Sequence, residues 1–244
     1  MKATKVGGAL TGVAAVGATA ISLIVAAPAH SSQKVNAISA GALAAIPRAA
    51  APSKAPHPLA QIPLPSKGIA DALKTGRTWT PTAADVLKLA KAQVGVTENS
   101  LGGGTKFQKW FVSSPWAERG VERDGGKVSD YANANWCDMF VSWVGAQLGV
   151  KGMGADAFTR THAQWFKDQG RWGQTPTPGA VVFYSWSGGK SIDGIDHVGI
   201  VVKDNHDGTI QTVEGNTDNA VKIRTRDVSS VVGYGYPEYG TDKA

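Results

Sequence analysis

The chain has 244 residues, a formal charge of +6, eight tryptophans and one cysteine. One cysteine excludes an internal disulfide. The mild basic balance, without a basic helix or a recognised binding motif, gives no case for nucleic acid as partner.

Residues 1–29 read as a secretory signal: Lys2 and Lys5 precede a run that is almost wholly apolar or small, and Ala27-Pro28-Ala29 fits the small-x-small cleavage rule. An uncleaved anchor is the competing reading, disfavoured by the weak hydrophobicity of the Gly, Thr and Ala in the run. Loss of Lys2 and Lys5 leaves the mature charge near +4. Residues 30–78 are rich in Ala, Pro, Ser and Lys and cannot bury a core, so they read as an extended linker. Six basic residues there face the single Asp71, and such a tether could hold to anionic wall polymers. Every tryptophan lies at or after Trp79, and residues 79–244 are enough for one core. The expected protein is exported and monomeric.

Within the domain, residues 81–94 are predicted helical, with Thr82 and Asp85 as a capping pair and Gly95 as the stop. Gly102, Gly103 and Gly104 form a loop before a short helix at 105–111. Residues 113–131 are polar and mixed in charge and read as a long loop. A helix then starts after Asn135, the expected N-cap, with Cys137 in its first turn, Phe140, Val141, Val144 and Leu148 on its buried face, and Gly149 ending it. A further helix covers 159–169, on which His162 has no visible partner and reads as incidental.

Pro178-Gly179 marks a change to strands. In residues 197–203, Val198, Ile200 and Val202 share one face, and His197, Gly199 and Val201 the other. Residues 205–208 hold an Asp-Gly hairpin signal, with His206 exposed in the turn. Helices first and strands second indicate α+β: helices packed on one face of a small antiparallel sheet of about five strands.

Cys137 at a helix start is where a thiol pKa is lowered. His197 begins one strand, while Glu214 and Asn216 end its antiparallel neighbour, so the imidazole can meet either polar group. Thiol, imidazole and an orienting group together suit nucleophilic acyl chemistry. Cys137 would attack a carbonyl to give a thioester. His197 would move the proton, and backbone N–H groups at the helix start would receive the oxyanion.

The stretches Asn135-Trp136-Cys137-Asp138-Met139-Phe140-Val141-Ser142-Trp143-Val144, Pro178-Gly179-Ala180-Val181-Val182-Phe183, Asp196-His197-Val198-Gly199-Ile200-Val201 and Val213-Glu214-Gly215-Asn216-Thr217 resemble the CHAP family of cysteine, histidine-dependent amidohydrolases/peptidases, within the papain-like class. The resemblance covers roughly residues 81–236. It implies hydrolysis of peptidoglycan at the muramoyl–L-alanine amide or at a peptide bond of the stem or cross-bridge. Cys137 is implied as nucleophile, His197 as base, and Glu214 and Asn216 as the further polar positions. Asp138 departs from the small residue often found after the cysteine. Some relatives bind calcium, but residues 204–208 lack EF-hand spacing, and no cysteine/histidine set has zinc spacing. No cofactor or metal is expected. The competing readings are a non-catalytic wall-binding domain, and an acyltransferase or toxin acting on protein.

Overall fold

The structure, a computed structural model, describes residues 79–240. The expected signal and linker lie outside the described residues.

Helix α1 (Ala83–Lys91) begins on the expected capping box: Asp85 N–H donates to Thr82 Oγ1, and Thr82 N–H to Asp85 Oδ2. Helix α2 (Lys106–Val112) uses a second box, Thr105 with Gln108. The expected loop at 113–131 is instead helix α3 (Pro115–Asp124) followed by a 3₁₀ turn, Val128–Asn133. Pro115 at the first helical position presets the backbone for α3. Its fully buried residues are the small Ala117 and Gly120, with Trp116 and Val121 partly buried against the core. Gly120 is required, since a Cβ there would lie 2.2 Å from the Tyr131 hydroxyl.

Helix α4 (Cys137–Leu148) is the centre of the fold. Its N-cap is Trp136, not Asn135, and no side chain caps it. Every residue except Ala146 and Gln147 is buried, so it is enclosed on all sides rather than amphipathic. Gly149 ends it in the left-handed conformation at φ 64°. Helix α5 (Thr159–Asp168) follows.

The strands are β1 (Trp172–Gly173), β2 (Val181–Tyr184), β3 (His197–Asp204), β4 (Thr209–Thr217), β5 (Ala220–Asp227) and β6 (Val231–Gly235). They form one antiparallel sheet in the order β1-β6-β2-β3-β4-β5. The α+β class holds, with six strands rather than about five, because Trp172 and Gly173 pair as a two-residue edge with Gly235 and Tyr234.

The main core lies between the helices and one sheet face, where Phe183, Val198, Ile200 and Val213 meet Phe140, Val144 and Phe166. The other face carries a smaller apolar cluster with Val182, Tyr184, Val201, Ile210 and Tyr234. Hence β2 is buried along its whole length. Gly215 lets α4 lie directly on β4: a Cβ there would meet Phe140 Cβ at 2.5 Å. That contact sets the first turn of α4 beside the end of β4.

Candidate active site

At the first residue of β3, His197 retains 8% exposure, while Glu214, near the end of β4, has none. His197 Nε2 lies 3.0 Å from Glu214 Oε2. A carboxylate can only accept, so Nε2 carries the proton and Nδ1 keeps its basic lone pair. Gly199, two residues on and on the same face, makes room for this carboxylate: a Cβ there would stand 2.7 Å from Glu214 Cγ.

Glu214 has a full set of donors. Thr212 Oγ1 donates to Oε1 at 2.7 Å and Thr217 Oγ1 to Oε2 at 2.9 Å. Arg226 from β5 donates through Nε to Oε1 at 3.0 Å and through Nη2 to Oε2 at 2.6 Å. Burial opposes ionisation of this carboxyl, but the bonds and charges of Arg226 and His197 outweigh it and hold it well below the usual carboxylate range.

Strict alternation would put Thr217 on the face opposite Glu214. The β4–β5 register shifts between Glu214 and Thr217, and Asn216 takes φ 54°. This bulge changes the parity, so Thr217 Oγ1 joins the site at 3.3 Å from His197 Nε2. It also turns Asn216 away: Asn216 Nδ2 donates to Asn135 Oδ1 at 3.3 Å. Of the two orienting candidates, Glu214 contacts His197. Asn216 instead ties the bulge to the segment entering α4.

Trp186, half exposed, roofs the network. Its ring lies 5.6 Å from that of His197 and is stacked 5.3 Å from Tyr184, with the Arg226 guanidinium 4.9 Å from its centre. Arg226, Thr217 and Trp186 were not singled out from the sequence. The pattern Lys222, Arg224, Arg226 marks one face of β5, but nothing linear indicates which cation reaches Glu214.

Cys137 is the first residue of α4 and 7% exposed. Burial, then the charge of Asp138, push its thiol up to about 12, against the pull of the Asp138 and Cys137 backbone N–H groups. This corrects the expectation of a lowered thiol pKa, because enclosure of the helix start outweighs its partial positive charge. No hydrogen bond joins Cys137 to His197 among the described residues. Cys137 is held beside the network through Phe140 on Gly215 and through the Asn135–Asn216 bond.

The approach to Cys137 is braced. Gln108 Nε2 donates to Gly102 O and to Ala134 O, both at 2.9 Å. Trp136 Nε1 donates to Glu98 Oε2 at 2.7 Å, and the Trp136 ring stacks on Phe107. Tyr131 and Trp136 are core residues.

Among the described residues, no group of three or more His, Cys, Asp or Glu side chains is arranged to hold a metal ion. The carboxylates of the β3–β4 hairpin are engaged locally, Asp204 with the His206 backbone and Asp207 with Thr209. His206 is exposed in the turn, as expected.

The described residues thus present an α+β domain with a cysteine at the start of its central helix, packed on a sheet that carries a histidine–carboxylate pair. A family model described as CHAP domain matches residues 128–216. The match contains Cys137, His197, Glu214 and Asn216, while Thr217 and Arg226 lie beyond it. No curated protein and no solved structure matches the chain. CHAP domains are generally cysteine- and histidine-dependent amidohydrolases, which indicates an amidohydrolase-type function on peptidoglycan at the level of the family.

Proposed function

We propose that the protein is an exported peptidoglycan hydrolase that cleaves an amide bond of wall peptide, at the muramoyl–L-alanine link or within the stem or cross-bridge, through Cys137 and His197. The observation that carries this reading is the bond from His197 Nε2 to the buried Glu214 carboxylate, which leaves Nδ1 as the basic nitrogen.

Because the resting thiol is protonated, attack and proton transfer are coupled. As Sγ bonds to the amide carbon, its proton passes to His197 Nδ1, and the imidazolium is stabilised by Glu214. The oxyanion is received by N–H groups at the start of α4. Collapse breaks the C–N bond, and His197 returns the proton to the leaving amine. Water, deprotonated by His197, then attacks the thioester, releasing the acid and restoring the thiol. The contact between Cys137 and His197 that these steps need forms with substrate in place, since catalytic hydrogen bonds commonly tighten only in the complex.

Export follows from the signal at residues 1–29, and the basic linker at 30–78 holds the enzyme near anionic wall polymers. The test is mass spectrometry of soluble fragments released from purified peptidoglycan, with Cys137→Ala in parallel. Fragments formed only by wild type are expected, and their new ends name the bond. Equal release by Cys137→Ala would overturn the reading, and no release from walls of several chemotypes would favour a protein substrate or a binding role.

A further inference from the structure

A second buried histidine–carboxylate pair lies directly behind the nucleophile. Asp138 follows Cys137 in α4 and is fully buried, and His162 on α5 is 1% exposed. His162 Nδ1 is 2.7 Å from Asp138 Oδ1, and Nε2 is 2.7 Å from the Met153 carbonyl oxygen. The ring is boxed in: it stacks on Phe166, meets the edge of Phe183, and abuts Gly154, where a Cβ would stand 2.8 Å from Nε2. His162, expected to be incidental on a surface helix, is therefore an interior residue with both nitrogens engaged.

These contacts determine the proton count. A carbonyl only accepts, so Nε2 must be protonated. The contact between Nδ1 and Oδ1 then requires one more proton, on the imidazole or on the carboxyl. Either way the pair is neutral. Asp138 Oδ2 is buried with no partner, so His162 alone compensates any charge on this carboxylate.

Other charges nearby do not replace it. Asp156, in the connection between α4 and α5, is paired with Arg123 of α3 and accepts from the Ala157 and Phe158 N–H groups. Arg160 on α5 donates to Ile195 O. From β3 and β4, His197 and Glu214 serve each other. Burial tends to strip His162 of its charge, but the charge and hydrogen bond of Asp138 prevail and keep the proton on the pair. Asp138 is in turn the largest source of charge acting against ionisation of Cys137.

We propose that Asp138 and His162 form a positioning pair that pins the start of α4 to α5 and holds the charge beside Cys137 at zero, so that the thiol can lose its proton during attack. This rests on Cys137 being the nucleophile. As pH rises until the pair loses its proton, its charge becomes −1 and ionisation of Cys137 is opposed.

The test is the pH dependence of alkylation of Cys137 by iodoacetamide, unambiguous because the chain has no other cysteine. His162→Gln keeps a donor for Met153 O but leaves Asp138 uncompensated, and its alkylation rate between about pH 7 and about pH 9, where the rate follows the small thiolate fraction, should fall about tenfold. Asp138→Asn/His162→Gln removes the charge, and its rate should return to within about twofold of wild type. A folded His162→Gln protein with the wild-type alkylation rate overturns the proposal. Should His162→Gln not fold, imidazole nitrogen NMR of the wild type decides: Nε2 must stay protonated from about pH 5 to about pH 8, and loss of that proton before the one at Nδ1 refutes the pairing. Alkylation needs no peptidoglycan, so a wild type that releases no fragments defeats the proposed hydrolysis while the thiol profiles still answer this question.

Discussion

Replacing Arg226 with methionine tests how the buried carboxylate behind His197 is maintained. Methionine keeps an apolar stem against Trp186 but removes the bonds to Glu214 Oε1 and Oε2. Charge-assisted hydrogen bonds contribute about 1.5–3 kcal/mol each, and stripping the partner from a fully buried ion costs about 3–5 kcal/mol. The Arg226 side chain is 24% exposed, so water replaces part of the loss, and Glu214 keeps donors from His197, Thr212 and Thr217. A destabilisation of about 2–3 kcal/mol near neutral pH is expected, or roughly 5–10 °C in Tm for a domain of this size. The pH dependence has a definite sign. The Glu214 carboxyl is depressed in the folded state, so its stabilisation is present above its unfolded pKa, near about 4.3, and is lost as pH falls below it. The gap between wild type and Arg226→Met should be widest above about pH 5 and narrow towards about pH 2. Urea unfolding across that range measures it. A gap below about 1 kcal/mol at neutral pH, or one that widens in acid, would refute the assignment of Arg226 as the principal counter-charge.

Other substitutions separate the remaining roles. Glu214→Gln should lower fragment release by at least about 100-fold, while Asn216→Gly, which suits φ 54° and removes only the bond to Asn135, should cost less than about 10-fold. Equal losses would return Asn216 to the orienting role. Gly215→Ala forces a Cβ onto Phe140 and should destabilise the domain by about 1–3 kcal/mol and slow release, because the start of α4 is displaced; unchanged melting would show that the contact yields freely. A chelator should leave release unaffected, and a loss that calcium restores would count against the local engagement of Asp204 and Asp207.

The succession of elements was legible because it rests on local rules. Alternation in residues 197–203 separated the core-facing Val198, Ile200 and Val202 from His197, Gly199 and Val201, and the Asp-Gly signal placed the hairpin before β4. Cys137 at a helix start, His197 at a strand start and Glu214 near the end of the neighbouring strand also followed from pattern alone. Helix α3 escaped notice because its inward face, Trp116, Ala117, Gly120 and Val121, is short, half of it small residues, and charged residues fill the rest.

What only the tertiary structure decided depends on parity, depth and reach. The choice between Glu214 and Asn216 turned on a bulge: period two puts both on one face, and a single residue at positive φ sends Asn216 to Asn135 and brings Thr217 in its place. The state of Cys137 turned on enclosure, which no spacing reports and which outweighs the helix terminus. His162 and Arg226 found Asp138 and Glu214 across 24 and 12 residues of chain. A side chain's partner is set by which elements pack together, and one residue's periodicity carries no information about the element opposite.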